Sequence, residues 1–268
     1  MRGIQMGAAL GARVLSDPTD EDMAWADVVV LVKKYAVEYA AHVHRAGKPI
    51  IWDALDFWMQ PGQNHLDLSS GIRAFHQMKA LIKPTAVICA TEQMVRDCGG
   101  VYIPHHCRLG LVATPPRERV QTVAYDGGER YLGLWDVAIR DECHRRGWDF
   151  VVNPKHLAEA DILVAFRDGQ WDGPLCRAWK SGVKYVNAKR AGRPIITQPC
   201  AAVDELLPMR FEVDDVRLLA TAFDTMSDTF RLGASFQQSE AYTVEAIAET
   251  YYRPLLKLVA SEVPCTAM

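Results

Sequence analysis

The run Asp27-Val-Val-Val-Leu-Val-Lys33 is apolar at every position between two charges, and this continuity constrains the fold more than any other feature of the chain. A strand with one wet face alternates apolar with polar residues, whereas a short unbroken run fits a strand covered on both faces, as in a parallel sheet. A helix-sized segment over 35–46 follows, stops at Gly47, and leads into Pro49-Ile-Ile-Trp52-Asp53. Strand, helix and strand in that order predict a parallel α/β unit, because parallel neighbours need a long crossover.

The pattern continues in two series. Ala86–Ala90 reads as a strand, 91–98 as a helix and Val101–Pro104 as the last strand of the first series. Residues 108–119, with Pro115-Pro116 and the charges that follow, read as a linker. Val120–Tyr125 opens a second series, and Asp126-Gly127-Gly128 breaks the chain before a helix over 129–146 that ends at Gly147. A strand over 148–152, a short helix over 155–160, a strand over 161–166 and the loop Arg167–Gly173 come next. Gly3–Leu15 and the stretch from about 215 to 260 read as helical, the latter from the spacing of Leu218, Leu219, Ala222, Phe223 and Met226. Two strand–helix series joined by a linker predict two Rossmann-like domains facing each other.

With 268 residues, 49% hydrophobic and 24% charged, the chain has the composition of an ordinary globular protein, long enough for one large domain or two small ones. A formal net charge of -3 gives no global attraction to nucleic acid or an anionic membrane, so local clusters must carry any such reading. Seven scattered cysteines without a CxxC pair fit reduced thiols. Cys107 beside His105 and His106 lacks the second half of a zinc site, and no metal is expected. The start Met-Arg-Gly-Ile-Gln lacks the apolar run of a signal peptide, and no run approaches the roughly 20 apolar residues of a spanning helix, so a cytoplasmic location is expected.

Lys180-Ser-Gly-Val-Lys184-Tyr-Val-Asn187-Ala-Lys-Arg-Ala-Gly192-Arg-Pro194-Ile-Ile carries the sharpest motif. A helix-sized segment ends at Gly192, Pro194 opens a β-branched strand, and Asp204-Glu205 lies a short link further on. This stretch resembles the nucleotide-sugar-binding helix of GT-B glycosyltransferases, specifically at its Ala-Gly-Arg-Pro end. Asn187 stands where retaining members have Glu, and Trp179 stands where they have the first Glu of the pair.

The resemblance implies an acceptor-side domain over 1–115, a nucleotide-sugar donor domain over 116–235 and a C-terminal helix over 236–268 that crosses back. It also implies a buried strand and glycine loop ahead of the first helix, which this sequence lacks: either the fold begins without its first strand or the start lies inside a longer reading frame. The implied activity is hexosyl transfer from a UDP- or GDP-sugar, bound as substrate with no permanent cofactor, to a glycan, a lipid-linked sugar or a small molecule.

Charge grows on the diphosphate as the glycosidic bond breaks, so the reaction needs cations placed in advance. By resemblance Arg167, at a strand's carboxyl end, and Lys180 or Lys184, near a helix start, are its contacts. Gly127 and Gly128 would let phosphate or sugar approach backbone N–H groups, although an ordinary strand–helix turn looks the same. Glu205 and Asn187 match positions that accept hydrogen bonds from ribose hydroxyls. Asp53 and Asp56 follow a strand end in the first half, where a general base for an acceptor hydroxyl would stand, or else they cap the next helix. His106, with His105, follows Pro104 near the hinge, and His76 is a further candidate. Trp52, Trp58, Trp171 and Trp179 suit either stacking on sugars and bases or core packing.

Rival readings are a sugar-nucleotide-binding protein without catalysis, a phage-type DNA-base glycosyltransferase using Lys79, Lys83, Arg108, Arg117 and Arg119 on phosphates, and an epimerase, disfavoured because no paired acid and base stand out. A nucleic acid partner is not favoured.

Overall fold

The computed structural model describes residues 2–33, 36–206, 209–231 and 239–261; position 35, where a helix start is expected, and the boundary expected at 235 lie outside them. The elements run α1 (Arg2–Leu10), α2 (Asp20–Trp25), β1 (Val29–Val32), α3 (Ala36–Arg45), β2 (Ile50–Asp53), α4 (Leu68–Ile82), β3 (Ala86–Cys89), α5 (Glu92–Cys98), β4 (Val101–Tyr102), β5 (Thr122–Tyr125), α6 (Leu134–Arg146), β6 (Asp149–Val152), β7 (Ile162–Ala165), α7 (Pro174–Trp179), α8 (Val183–Ala191), β8 (Ile195–Thr197), α9 (Ala201–Leu206), β9 (Arg210–Glu212), α10 (Leu219–Arg231), α11 (Val244–Ile247) and α12 (Arg253–Ser261), with a π-helical turn over Ala248–Tyr252.

The strands form two parallel sheets, ordered β1-β2-β3-β4 and β6-β5-β7-β8-β9. Alternation along β2 shows how the first is sandwiched. Ile50 and Trp52 pack with Val43, Phe75 and Met94 from α3, α4 and α5, while Ile51 packs with Met6, Ile247, Tyr252 and Val259. The helices at the end of the chain thus return to cover the first sheet. β1 has apolar partners on both faces, Val29 and Leu31 on one and Val28 and Val30 on the other. It is nevertheless an edge strand, so only Leu31 is fully buried and the expectation of a doubly covered interior strand holds for its faces and not for its position.

In the second sheet Val123, Tyr125, Val164 and Ile196 face α6 and α10, and Ala124, Leu163 and Ile195 face α8 and α9. β6 lies on one side of β5 and β7 on the other, so the strand order reverses between β5 and β7.

Several elements depart from the sequence expectations: the helix expected over Gly3–Leu15 ends at Leu10, and α2 was not anticipated. α4 was not anticipated, although Asp67 caps it through Ser70 N–H at 2.8 Å and Ile72, Phe75, Met78 and Ile82 carry helical spacing. β9 was also unexpected. The helix expected over 129–146 is broken at Gly133, where a positive φ of 52° lets Asp168 Oδ2 accept the Leu134 N–H at 2.7 Å. The motif segment is two helices, α7 and α8, with Lys180-Ser-Gly between them.

The halves are joined through α7. Leu175 and Trp179 are fully buried in the core of the first sheet, Trp179 lying 5.9 Å from Phe57 and 6.5 Å from Trp58 between ring centroids. Gly71 permits the approach, since a Cβ there would stand 2.3 Å from Leu175 Cδ2. Around this contact Trp179 Nε1 donates to Asp97 at 2.7 Å, Thr91 Oγ1 to the Ala178 carbonyl at 3.0 Å, and the Gln93 N–H to Glu205 Oε1 at 2.9 Å.

The returning helices are fastened by a buried polar knot. Arg2 Nε lies 2.9 Å from Asp53 Oδ2, Tyr252 OH donates to the same oxygen at 2.9 Å, and Arg2 Nη2 donates to the Ile103 carbonyl at 3.1 Å. Removing the Tyr252 hydroxyl leaves a buried carboxylate one donor short, which costs about 1–3 kcal/mol. Tyr252→Phe is therefore expected to lower the urea midpoint with an unchanged slope, measured by equilibrium denaturation followed by circular dichroism.

Candidate functional site

In an open parallel sheet, ligands bind outside the carboxyl ends of the strands where the strand order reverses. Here that crevice lies between the residues following β5, Asp126-Gly127-Gly128, and those following β7, Phe166-Arg167-Asp168. α8 runs beside it and sends in Lys184, whose Nζ sits 3.5 Å from the centre of the Tyr125 ring. A Cβ on Gly127 would lie 3.3 Å from the same Nζ, so glycine keeps the loop backbone close to the ammonium.

Arg167 and Lys184 are half-buried, and among the described residues neither the guanidinium nor the ammonium has a hydrogen-bonding or ion-pair partner in the protein. Burial pushes the Lys184 ammonium well below the usual lysine range, and the Arg167 charge pushes it further, with Asp126 opposing only in part. Neither cation is directly paired with a carboxylate, although Asp126 and Asp56 lie within electrostatic reach, and two cations so placed are chemically suited to meet an anion. Beside Arg167 a cavity of about 320 Å³ is lined by Gln198, Asp168, Asp214, Trp135 and, from the first half, His65. Gln198 Oε1 accepts the Arg167 N–H at 2.7 Å and fixes the start of that loop.

The structure brings Gly127, Arg167 and Lys184 together as the sequence suggested, with the more exposed Gly128 next to them. Lys180 reaches the same region but is engaged, its Nζ 2.8 Å from Asp56 Oδ2 and 3.2 Å from Gln60 Oε1. Asp56 comes from the loop after β2, in the left-handed region at φ 51°, and faces the second half across this contact. Burial works against its ionisation, but Lys180, Lys33 and Arg167 outweigh it and hold the carboxyl below its ordinary value. That makes Asp56 a weak base and a firm anchor.

The other expected residues lie elsewhere. Asp53 is 1% exposed and tied to Arg2 and Tyr252 in the knot under the C-terminal helices, so it does not open on the crevice. His106 is buried, with Nδ1 2.8 Å from the Cys107 carbonyl, and burial holds it neutral. Its neighbour His105 is pushed down to about 3 by burial and by Arg2. Asn187 is engaged at both ends, Oδ1 accepting the Arg108 N–H at 2.8 Å and Nδ2 donating to Asp126 at 2.7 Å, which fixes the loop after β5, and at 2% exposure the side chain is buried away from a ribose. Glu205 Oε1 accepts the Gln93 N–H at the start of α5 and so braces the two halves, while its Oε2 is buried without a partner. Trp52, Trp58 and Trp179 are core residues.

Sequence reasoning passed over Tyr125, Asp126, Asp168 and Gln198. The first two immediately precede Gly127-Gly128 and were legible from that adjacency; Asp168 and Gln198 act through contacts remote in sequence, Asp168 taking the N-terminus of α6. Among the described residues no group of three or more His, Cys, Asp or Glu side chains is placed to hold a metal ion, and no helix is long and apolar enough to cross a membrane.

No protein family matches the chain, and no curated protein matches it. Among solved structures it is similar to the glycotransferase of kitacinnamycin, at 11% identity and a TM-score of 0.48, covering 90% of this chain and 76% of that one. It is also similar to AviGT4, a glycosyltransferase involved in avilamycin A biosynthesis, at 14% identity and a TM-score of 0.45, covering 94% of this chain and 81% of that one.

Lys184 dictates a pH signature. Between its lowered folded pKa and the ordinary value of 10.5 the unfolded chain binds more protons than the folded one, so stability rises with pH across that window. The penalty is greatest below the folded pKa and vanishes above 10.5. Lys184→Met is therefore expected to raise the melting temperature near neutral pH, with the gain shrinking towards pH ~10; thermal denaturation of both proteins across that range measures it, and a pH-independent difference would contradict the assignment.

Proposed function

We propose that the protein transfers a glycosyl group from a nucleoside diphosphate sugar to a hydroxyl acceptor. The observation that carries this reading is the pair Arg167 and Lys184, unpaired and half-buried beside the Gly127 backbone at the point where the second sheet reverses its order. A diphosphate leaving group gains negative charge in the transition state, and preorganised cations in a partly dry site stabilise that charge more than the ground state. Lys180 stands in reserve across the crevice on Asp56, and the arrival of a phosphate would compete with that carboxylate. The first half closes over the site through the loop that carries Asp56 and Gln60, the side from which an acceptor would approach.

A second reading is favoured by the occupancy of the expected bases. Asp53 is locked to Arg2, His106 is buried, and Asp56 is held ionised by three cations, which suits a protein that binds a sugar nucleotide without turning it over. Release of nucleoside diphosphate from donor without acceptor distinguishes the two. For the nucleic acid alternative, Arg108 donates to the Pro154 carbonyl and Arg117 to Asp161, so both arginines serve the second half internally.

Thermal shift and calorimetry against UDP, GDP, ADP, CMP and dTDP test the donor site. One diphosphate is expected to stabilise the wild type, and Lys184→Ala and Arg167→Ala are each expected to weaken its binding roughly tenfold or more, the loss of a hydrogen bond to a charged group. No response to any nucleotide would overturn the proposal.

A further inference from the structure

Asp53, Asp56 and His106 are locked, ion-paired or buried, and two carboxylates around the cavity beside Arg167 are engaged as well. Asp168 accepts the Leu134 and Gly169 N–H groups, each at 2.7 Å, and Arg177 Nη2 donates to Asp172 at 2.6 Å. His65 differs from all of them. It is exposed and lines the same cavity, of about 320 Å³, as the one contributor from the first half among the described residues. Among those residues its imidazole has no hydrogen-bonding or ion-pair partner.

Its position is built by its neighbour. Asn64 is 0% exposed and is held from both halves: Trp58 Nε1 donates to Oδ1 at 2.8 Å, Nδ2 donates to the Gln170 carbonyl at 2.9 Å, and the Asn64 carbonyl accepts the Leu175 N–H at 3.3 Å. Gly173 lets the two loops meet. Its φ is 143°, and a Cβ there would stand 2.3 Å from the Asn64 oxygen and 3.1 Å from the His65 nitrogen. The His65 backbone is thus fixed against the second half by contacts that leave its side chain unused. A firmly carried, unengaged imidazole is what a general base requires.

We propose that His65 is the general base that takes the proton of the acceptor hydroxyl, an inference that rests on the glycosyl-transfer reading. Arg167 enters the cavity from the second half and His65 from the first, so a sugar whose diphosphate meets Arg167 lies between leaving group and base. As the acceptor oxygen bonds to the anomeric carbon, its proton passes to an imidazole nitrogen. The bond from that carbon to the diphosphate oxygen breaks, and the electron pair leaves on the diphosphate beside Arg167. Attack from the side opposite the leaving group inverts the anomeric centre.

Turnover of UDP-glucose, GDP-mannose, ADP-glucose and dTDP-glucose with water as the acceptor tests it, followed by release of nucleoside diphosphate and by proton NMR of the sugar as first released. These donors are α-linked, and the wild type is expected to release the β anomer from the one it accepts. His65→Gln is expected to lower kcat about a hundredfold or more while KM and the thermal shift with nucleotide stay within about twofold. That thermal shift also shows that the variant is folded. His65→Ala is expected to regain turnover in added imidazole, which a purely structural role would not allow. Release of the α anomer, undiminished kcat in His65→Gln, loss of turnover in Asp214→Asn alone, or nucleotide binding without any turnover would overturn the assignment. A missing nucleotide response would instead overturn the glycosyl-transfer reading on which it rests.

Discussion

The burial of α7 in the core of the first sheet is the contact on which the arrangement of the molecule depends. Leu175 and Trp179 belong by sequence to the second strand–helix series but pack by position among Trp52, Phe57, Trp58 and Phe75. Aromatic side chains bury large areas and pack with defined ring geometry, so this cluster fixes distance and angle together. Because α7 follows directly from the loop after β7, the cluster also determines where Lys180 emerges and which loop of the first half it meets. The hydrogen bonds from Trp179, Thr91 and Gln93 satisfy polar groups at the junction, while Glu205 Oε2 and Asp56 Oδ1 stay buried without a partner.

Against this closely paired interface, the reversal point of the second sheet stands out for what it leaves unpaired. Nearby cations are neutralised: Lys180 by Asp56, Arg177 by Asp172, Arg108 by Asp126. Arg167 and Lys184 are not, and Lys184 sits on a tyrosine ring with its charged form disfavoured. Such a group at the mouth of a parallel sheet costs stability, and this cost is what makes the crevice the place where an anionic donor is proposed to bind.

Much of this was legible in the residues. Continuous apolar runs such as Ile50–Trp52 and Ile162–Ala165 announced parallel strands, Gly47, Gly147 and Gly192 ended helices in the left-handed conformation, and the clustering of Gly127, Arg167 and Lys184 followed from placing each at a strand end or helix start. What failed were the polar residues. Asp53, Asn187 and Glu205 have the chemistry of ligand-binding groups, but their partners Arg2, Arg108 and Gln93 lie far off in sequence, and whether a carboxylate or amide is free depends on such partners. α4 was missed for another reason: its cap and apolar spacing were present, but the strand that precedes it was followed by a long irregular loop, Ala54–Leu66, that hid its start.

The sequence by itself determined the local periods: where backbone alternates, where it coils, and that the strands must be covered on both faces. Those are consequences of side-chain polarity at fixed spacing and need no knowledge of distant residues. Only the tertiary structure decided that β1 is an edge, that α7 crosses into the first core, and that of three candidate cations two remain unpaired while Lys180 is held by Asp56. Pairing and burial of charge are properties of surroundings assembled from the whole chain, because an ion's free energy depends on how much water and counter-charge it retains.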